Sequence, residues 1–215
     1  MILETRAVEP FFKNGYVLGC ESTRDAVIVD PGDEVDDLLA FVSRERLTVR
    51  YILLTHAHLD HVTGVGRAKA ALGAPVGLHR EDLFLYEAAP DQGRMFGFDV
   101  APQPTPDFFY THQQVIPFGG YEARVHHTPG HSPGGVCLQV GRKGDQGTQL
   151  FVGDTLFSGS IGRTDLPGGD LSTLMKSIRE VLFNFPDESR VYSGHGPVTT
   201  IGEERRTNPF LTGAM

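Results

Sequence analysis

Apolar and polar positions alternate between two periods along this chain, and the switches mark its elements. Tyr16–Cys20 and Ala26–Val29 are short apolar, β-branched runs that predict buried strands. From about Val35 the period lengthens: Val35, Leu38, Leu39 and Val42 fall on one face of a helix. Val49–Leu54 predicts a further buried strand, followed by a helix from about Asp60 to Leu72. The second half repeats the plan loosely. Arg124–His127, Val136–Val140 and Leu150–Val152 read as strands. Asp170 is placed to cap a helix whose stripe is Leu171, Leu174, Ile178, Val181, Leu182 and Phe185, with Pro186 just past its end. Arg190–Tyr192 is a last short strand, and Thr200 with Glu203 has capping-box spacing for a final helix. Both halves alternate strands and helices, so the class is α/β.

Residues 80–118 break this rhythm. They are rich in Pro, Phe and Gly, and a long irregular stretch in a compact domain predicts a lid or substrate loop as readily as a cap of buried aromatics. Phe96, Phe98 and Tyr110 in this stretch, and Arg163 further on, are candidate substrate contacts. For Arg163 the favoured role is structural, pairing with the nearby carboxylate of Asp165.

The chemistry concentrates just past the Val49–Leu54 strand, where residues 55–61 read Thr-His-Ala-His-Leu-Asp-His. Imidazole and carboxylate are the nitrogen and oxygen donors that zinc, iron and manganese accept. If the extended backbone persists, His56 and His58 point the same way and pinch one ion, while Asp60 and His61 diverge at the turn into the helix. Three more donors follow in turn-like or strand-end settings: His131 in Thr-Pro-Gly-His, Asp154 in Phe-Val-Gly-Asp and His195 in Ser-Gly-His-Gly. Seven candidate ligands exceed one tetrahedral ion and suit a pair that shares a carboxylate. His79, His112, His126 and His127 lack such spacing and read as ordinary strand and loop residues. Gly64-Val-Gly66 opens a helix, but Lys69 stands where a dinucleotide fingerprint needs its third glycine.

Val29-Asp30-Pro31-Gly32, Thr55 to His61, Thr128-Pro129-Gly130-His131-Ser132, Gly153-Asp154 and Gly194-His195-Gly196 together resemble the metallo-β-lactamase fold superfamily, in its order and over nearly the whole chain. The resemblance implies a four-layer αββα sandwich in a single domain, 1–215, with metals at one sheet edge. It also implies that His56, His58 and His131 hold a first divalent metal ion, that Asp60, His61 and His195 hold a second, and that Asp154 bridges them. Asp30 becomes a supporting carboxylate rather than a ligand. The run from Gly153 to Asp165 and the tail from Glu203 to Pro209 are similar to the short glyoxalase II-type hydrolases and to the persulfide dioxygenases. The implied activity is hydrolysis of a small acyl thioester such as S-lactoylglutathione by water activated between two ions, zinc foremost, with iron or manganese as alternatives and with Asp60 and Asp154 as the catalytic carboxylates. A mononuclear iron persulfide dioxygenase and a lactonase are the rival readings. Cys20 and Cys137 sit in apolar strand-like runs, away from the position where one β-lactamase subclass places a cysteine ligand.

Composition narrows the partners. The chain has 215 residues, 40% hydrophobic and 21% charged, enough for a substantial core. A formal net charge of −8 disfavours a nucleic-acid surface. No apolar run reaches the length of a membrane span, and the first residues lack the charged-then-apolar order of a signal peptide. The expectation is a cytoplasmic monomer or homodimer acting on a small molecule. No helical glutathione-binding domain of the full-length glyoxalase II kind is expected after His195.

Overall fold

The computed structural model describes residues 1–145 and 147–213, in two compact units: Met1–Tyr110 with Phe118–Gly120, and Thr111–Pro117 with Tyr121 onward. The first carries a six-stranded sheet in sequential order, β1 (Ile2–Arg6), β2 (Gly15–Gly19), β3 (Asp25–Val29), β4 (Thr48–Leu53), β5 (Val76–Leu78) and β6 (Phe108–Phe109). β1 to β3 are antiparallel, and β3 to β6 run parallel. β2 is buried at every position, which is why it reads as an unbroken apolar run. The helix α1 (Val35–Arg44) buries Val35, Leu38, Phe41 and Val42 in one cluster with Val17, Ile28 and Ile52 of the sheet.

The helix expected from Asp60 to Leu72 is two. α2 (Leu59–Val62) is a single turn, and α3 (Val65–Leu72) starts afresh after Gly64. The interruption has a steric cause. Gly64 N donates to Pro31 O at 3.1 Å, and a Cβ on Gly64 would stand 2.3 Å from Gly32 O. The backbone is pulled onto the Pro31-Gly32 turn instead of continuing its ladder. Residues 80–118 are also more regular than their composition suggests: a 3₁₀ turn at Arg80–Asp82, α4 (Leu83–Glu87) and α5 (Ala89–Met95) come before β6.

The second unit has a sheet in the order β14 (Thr199–Thr200), β13 (Arg190–Ser193), β10 (Gln149–Gly153), β9 (Val136–Arg142), β8 (Tyr121–His127) and β7 (Val115–Phe118). β10 and β13 are parallel, while β8 to β10 are antiparallel. A small hairpin, β11 (Leu156–Phe157) with β12 (Ser160–Ile161), follows β10. α6 (Leu171–Glu180) starts at Asp170, whose carboxylate accepts from Thr173 N at 2.7 Å. Leu174 and Ile178 pack against Leu150, Val152 and Val191, but Leu171 is exposed and the helix stops before Val181. α7 (Ile201–Thr207) is capped by Thr200, which accepts from Glu203 N, and the short α8 (Pro209–Thr212) follows.

Candidate metal centre

Parallel strand pairs position the donors. In the first unit Val29 of β3 pairs with Leu53 of β4, so both chains leave the sheet at the same edge. Asp30 N donates to Leu53 O at 3.0 Å, and Asp30 itself turns into the left-handed region at φ 50°. Its carboxylate accepts from Thr55 N at 2.6 Å, Thr55 Oγ1 at 2.5 Å and His61 Nδ1 at 2.9 Å. A carboxylate only accepts, so His61 carries its proton on Nδ1 and keeps the Nε2 lone pair for a metal. Thr55 gives its hydroxyl proton to Asp30, so its oxygen accepts from His56 Nδ1 at 3.2 Å, which leaves His56 Nε2 as a donor too.

Two further ties hold the Leu54–His58 segment, one of them through a tyrosine that is itself anchored. Leu54 N donates to Tyr110 Oη at 3.0 Å, Tyr110 Oη donates to Gly77 O at 2.8 Å, and Ala57 N donates to the buried Asp82 carboxylate at 3.0 Å. The His56 and His58 rings lie 4.9 Å apart at 88°, and those of His56 and His61 lie 4.0 Å apart at 54°. Asp60 Oδ2 stands 3.7 Å from His61 Nε2. His56, His58, Asp60 and His61 therefore gather at one strand end, with the two carboxylates Asp30 and Asp60 on different sides of His61.

In the second unit β10 and β13 pair through Gly153 and Ser193, and Gly194 N donates to Gly153 O at 2.9 Å, which sets Asp154 beside His195. Asp154 Oδ2 is 3.6 Å from His195 Nε2 and 3.6 Å from His131 Nε2. His131 comes from the Thr128–Ser132 turn. That turn needs glycine at 130: φ is 134°, and a Cβ would stand 2.2 Å from Leu174 N. The turn is anchored on α6 by Asp170 N donating to Gly130 O at 2.8 Å and Ser177 Oγ donating to Pro129 O at 2.7 Å. His131 Nδ1 donates to Arg163 O at 2.8 Å, which fixes the tautomer that carries its lone pair on Nε2, the form able to bind a metal.

The donor set fits divalent ions. A separation of 3.6 Å is past a hydrogen bond and close to the edge of about 3.4 Å expected between two ligands of a tetrahedral ion held at about 2.05 Å. His56, His58, Asp60, His61, His131, Asp154 and His195 all belong to candidate metal-binding groups.

The expected substrate contacts fare unevenly. Tyr110 is buried, with its hydroxyl engaged by Leu54 N and Gly77 O, so it braces the histidine segment rather than facing a ligand. Arg163 contributes its carbonyl to His131, and its guanidinium makes a bidentate pair with Asp165 at 2.7 Å to each oxygen. That pair holds the Asp165 carboxyl down to about 2. Phe96 and Phe98 are exposed, and Phe98 packs 5.5 Å from Phe11 beside a cavity of about 300 Å³ that Leu59 and Thr63 also line.

Several supporting residues carry no spacing signal in the sequence. Asp82 is one. Glu204 is another: buried, it accepts from Thr199 Oγ1 at 2.6 Å, Asn208 Nδ2 at 2.8 Å and Gly159 N at 2.9 Å, tying the tail to the hairpin that leads into Gly162 and Arg163. A Cβ on Gly162 would stand 1.9 Å from Asp154 O, so only glycine lets that chain pass the centre.

The sequence profile described as the metallo-beta-lactamase superfamily matches residues 8–195. The hydroxyacylglutathione hydrolase GloC of Haemophilus influenzae is 37% identical over 202 residues, covering 93% of each chain. The crystal structure of the B3 metallo-beta-lactamase BLEG-1 superposes with a TM-score of 0.89 at 39% identity, covering 99% of this chain and 100% of that one. TTHA1623, solved in a di-iron-bound form, gives 0.86 at 42% identity, covering 97% and 100%.

Proposed function

The chain belongs to the metallo-β-lactamase superfamily, whose fold it has, and from that premise we propose that it is a two-metal hydrolase of small acyl thioesters, S-lactoylglutathione or a near relative. The reading takes residues 1–215 as one domain of the family's αββα class, in which both strand-end clusters would serve one centre. It assigns His56, His58 and His131 to one ion, Asp60, His61 and His195 to the other, and Asp154 to both. One observation carries it. A single oxygen, Asp154 Oδ2, stands equally far, 3.6 Å, from the nitrogens of two histidines that the reading gives to different ions. A carboxylate so placed is within reach of both assigned ions and would serve as their bridge.

Two divalent ions, when bound, supply an acidified water and a Lewis acid for a carbonyl oxygen. The residues do the rest. Asp60 and Asp154 bring two negative charges against four positive ones, which leaves a site that attracts an anionic acyl substrate. Asp60, next to His61, is placed to orient the attacking water. A thiol of pKa about 8.5 departs as thiolate, so the chain need not supply a general acid. Phe98, which lines a cavity together with Leu59 of the motif turn, and the exposed Phe96 are proposed to meet the apolar part of the substrate. Among the described residues no helix is long and apolar enough to cross a membrane. The reading places the action on a small molecule in the cytoplasm, a reducing compartment that suits the free, buried Cys20 and Cys137.

The deciding experiment is elemental analysis of the purified protein together with a panel of thioester, lactone and cephalosporin substrates. Two ions per chain with thioester turnover foremost is the expected result. One iron per chain with persulfide-dependent oxygen uptake would replace the reading with the dioxygenase, and preferred turnover of lactone or cephalosporin would move the activity within the superfamily.

A further inference from the structure

Lys13 is an anomaly of the first unit. It follows Phe11 and Phe12, its side chain is 1% exposed, and its ion-pair partner Glu34 is 2% exposed. Lys13 Nζ donates to Glu34 Oε1 at 2.5 Å and also to the carbonyl oxygen of Asp30. Glu34 Oε1 in turn accepts from Gly32 N at 2.9 Å. A buried ion pair contributes little net stability, because desolvation consumes the attraction and an apolar pair of similar volume does as well. What an apolar pair cannot do is fix the direction of a carbonyl.

The carbonyl in question belongs to Asp30, a non-glycine residue held at φ 50°. An L-residue enters that region at a cost, so something must hold it there. On one side of Asp30 the carboxylate grips Thr55 and His61 Nδ1; on the other the carbonyl is held by Lys13. The same cluster presses on the metal motif through its backbone. A Cβ on Gly32 would stand 2.1 Å from Asp60 O and 2.9 Å from Lys13 Cε, so the Lys13 stem and Gly32 form the floor under Asp60 and its neighbour His61.

We infer that Lys13, paired with Glu34, is a positioning residue for His61: it locks the Asp30 turn whose carboxylate orients that imidazole. The inference rests on the assignment of His61 to the second ion. It involves no titration and no contact of Lys13 with substrate, and it predicts an effect confined to one of the two ions.

The test uses the full chain and two variants. Lys13→Met leaves Glu34 buried without its cation and is prone to misfold; Lys13→Met combined with Glu34→Gln removes both charges at nearly constant volume. The first readout needs no metal. The imidazole N–H proton spectrum of the metal-free protein is expected to show a slowly exchanging His61 Nδ1–H resonance, identified by its absence in His61→Gln, that shifts or exchanges rapidly in the double variant; its absence from the wild type would also overturn the proposal. The second readout is a zinc titration, in which affinity at one ion falls about 10- to 100-fold and the other ion is unaffected. A folded double variant with the wild-type resonance and both zinc affinities intact would overturn the proposal. A wild-type protein that takes up one zinc, with a resonance that still depends on Lys13, would leave the positioning role standing and remove the two-metal assignment instead.

Discussion

The two units solve the same problem one residue apart. Each ends a pair of parallel strands at a common edge, and each follows one of those strands with a carboxylate: Asp30 after β3, Asp154 after β10. In the first unit the left-handed residue is the aspartate itself, at φ 50°; in the second it is the preceding glycine, Gly153, at φ 52°. That offset changes what the carboxylate meets. Asp30 folds back under its own sheet edge and is consumed by Thr55 and His61. Asp154 leaves its edge one residue after the reversal and projects between His131 and His195. A conformational preference, rather than a different side chain, separates a carboxylate that orients a ligand from one placed to be a ligand.

The strongest way to break the comparison is to remove each carboxylate in turn. Asp154→Ala is expected to abolish double metal occupancy and to cost several orders of magnitude in turnover, checked by elemental analysis and thioester assay; near-normal turnover would remove the shared-carboxylate scheme. Asp30→Ala should give the opposite profile. Its carboxylate holds three buried donors, so unfolding in urea should show a loss of about 3 kcal/mol or more. Metal affinity should fall about 10- to 100-fold at one ion only. If the metal-free Asp154→Ala protein lost as much stability as Asp30→Ala, the two carboxylates would not differ in the way described.

How much of this was legible in the sequence follows from what kind of interaction is involved. Strands β2, β3, β4 and β10 and the starts of helices α1 and α7 lie within two residues of where apolar period and capping residues put them, because burial and caps are local rules. The seven donors stood out because metal chemistry restricts residue type. What did not show were the groups that act across long separations: Asp82 on Ala57, Tyr110 on Leu54, Glu204 on Gly159, Lys13 on Asp30. Asp82, Glu204 and Lys13 have nothing in their own spacing to name the distant backbone group they hold, and Tyr110 stood out only as an aromatic of a candidate substrate loop. The break at Gly64 was hidden for the same reason, since its cause is the Pro31-Gly32 turn more than thirty residues earlier. In residues 80–118 the Pro and Gly content masked short helices that tertiary contact sustains.

The offset between the units can be tested at the backbone as well. Gly153→Ala places a Cβ on a residue at φ 52°, and the expected loss is about 1–2 kcal/mol, read as a lower urea midpoint with an unchanged slope. Asp30→Asn keeps a residue type that tolerates the left-handed region, so its loss should come from the charge alone. Should Gly153→Ala prove neutral, the left-handed glycine would not be what sets the Asp154 direction.

The smallest expected effect concerns the segment that steadies His131. Arg163 serves that imidazole through its carbonyl, while its side chain pairs with Asp165 in solvent. Hydrogen bonding to the Arg163 guanidinium lowers the Asp165 carboxyl from 3.8 to about 2. A carboxyl whose folded value lies below its unfolded one contributes stability that is fully present above the unfolded value and lost as pH falls through the folded one. The window is therefore from about pH 4 down to about pH 2. Because both partners are exposed, solvent screens the pair and the contribution is slight. Asp165→Asn should match the wild type in turnover near neutrality and show a shallower decline of melting temperature with acid across that window. A large loss of turnover at neutral pH would instead mean that the Arg163 side chain, and not only its carbonyl, holds His131 in register with Asp154.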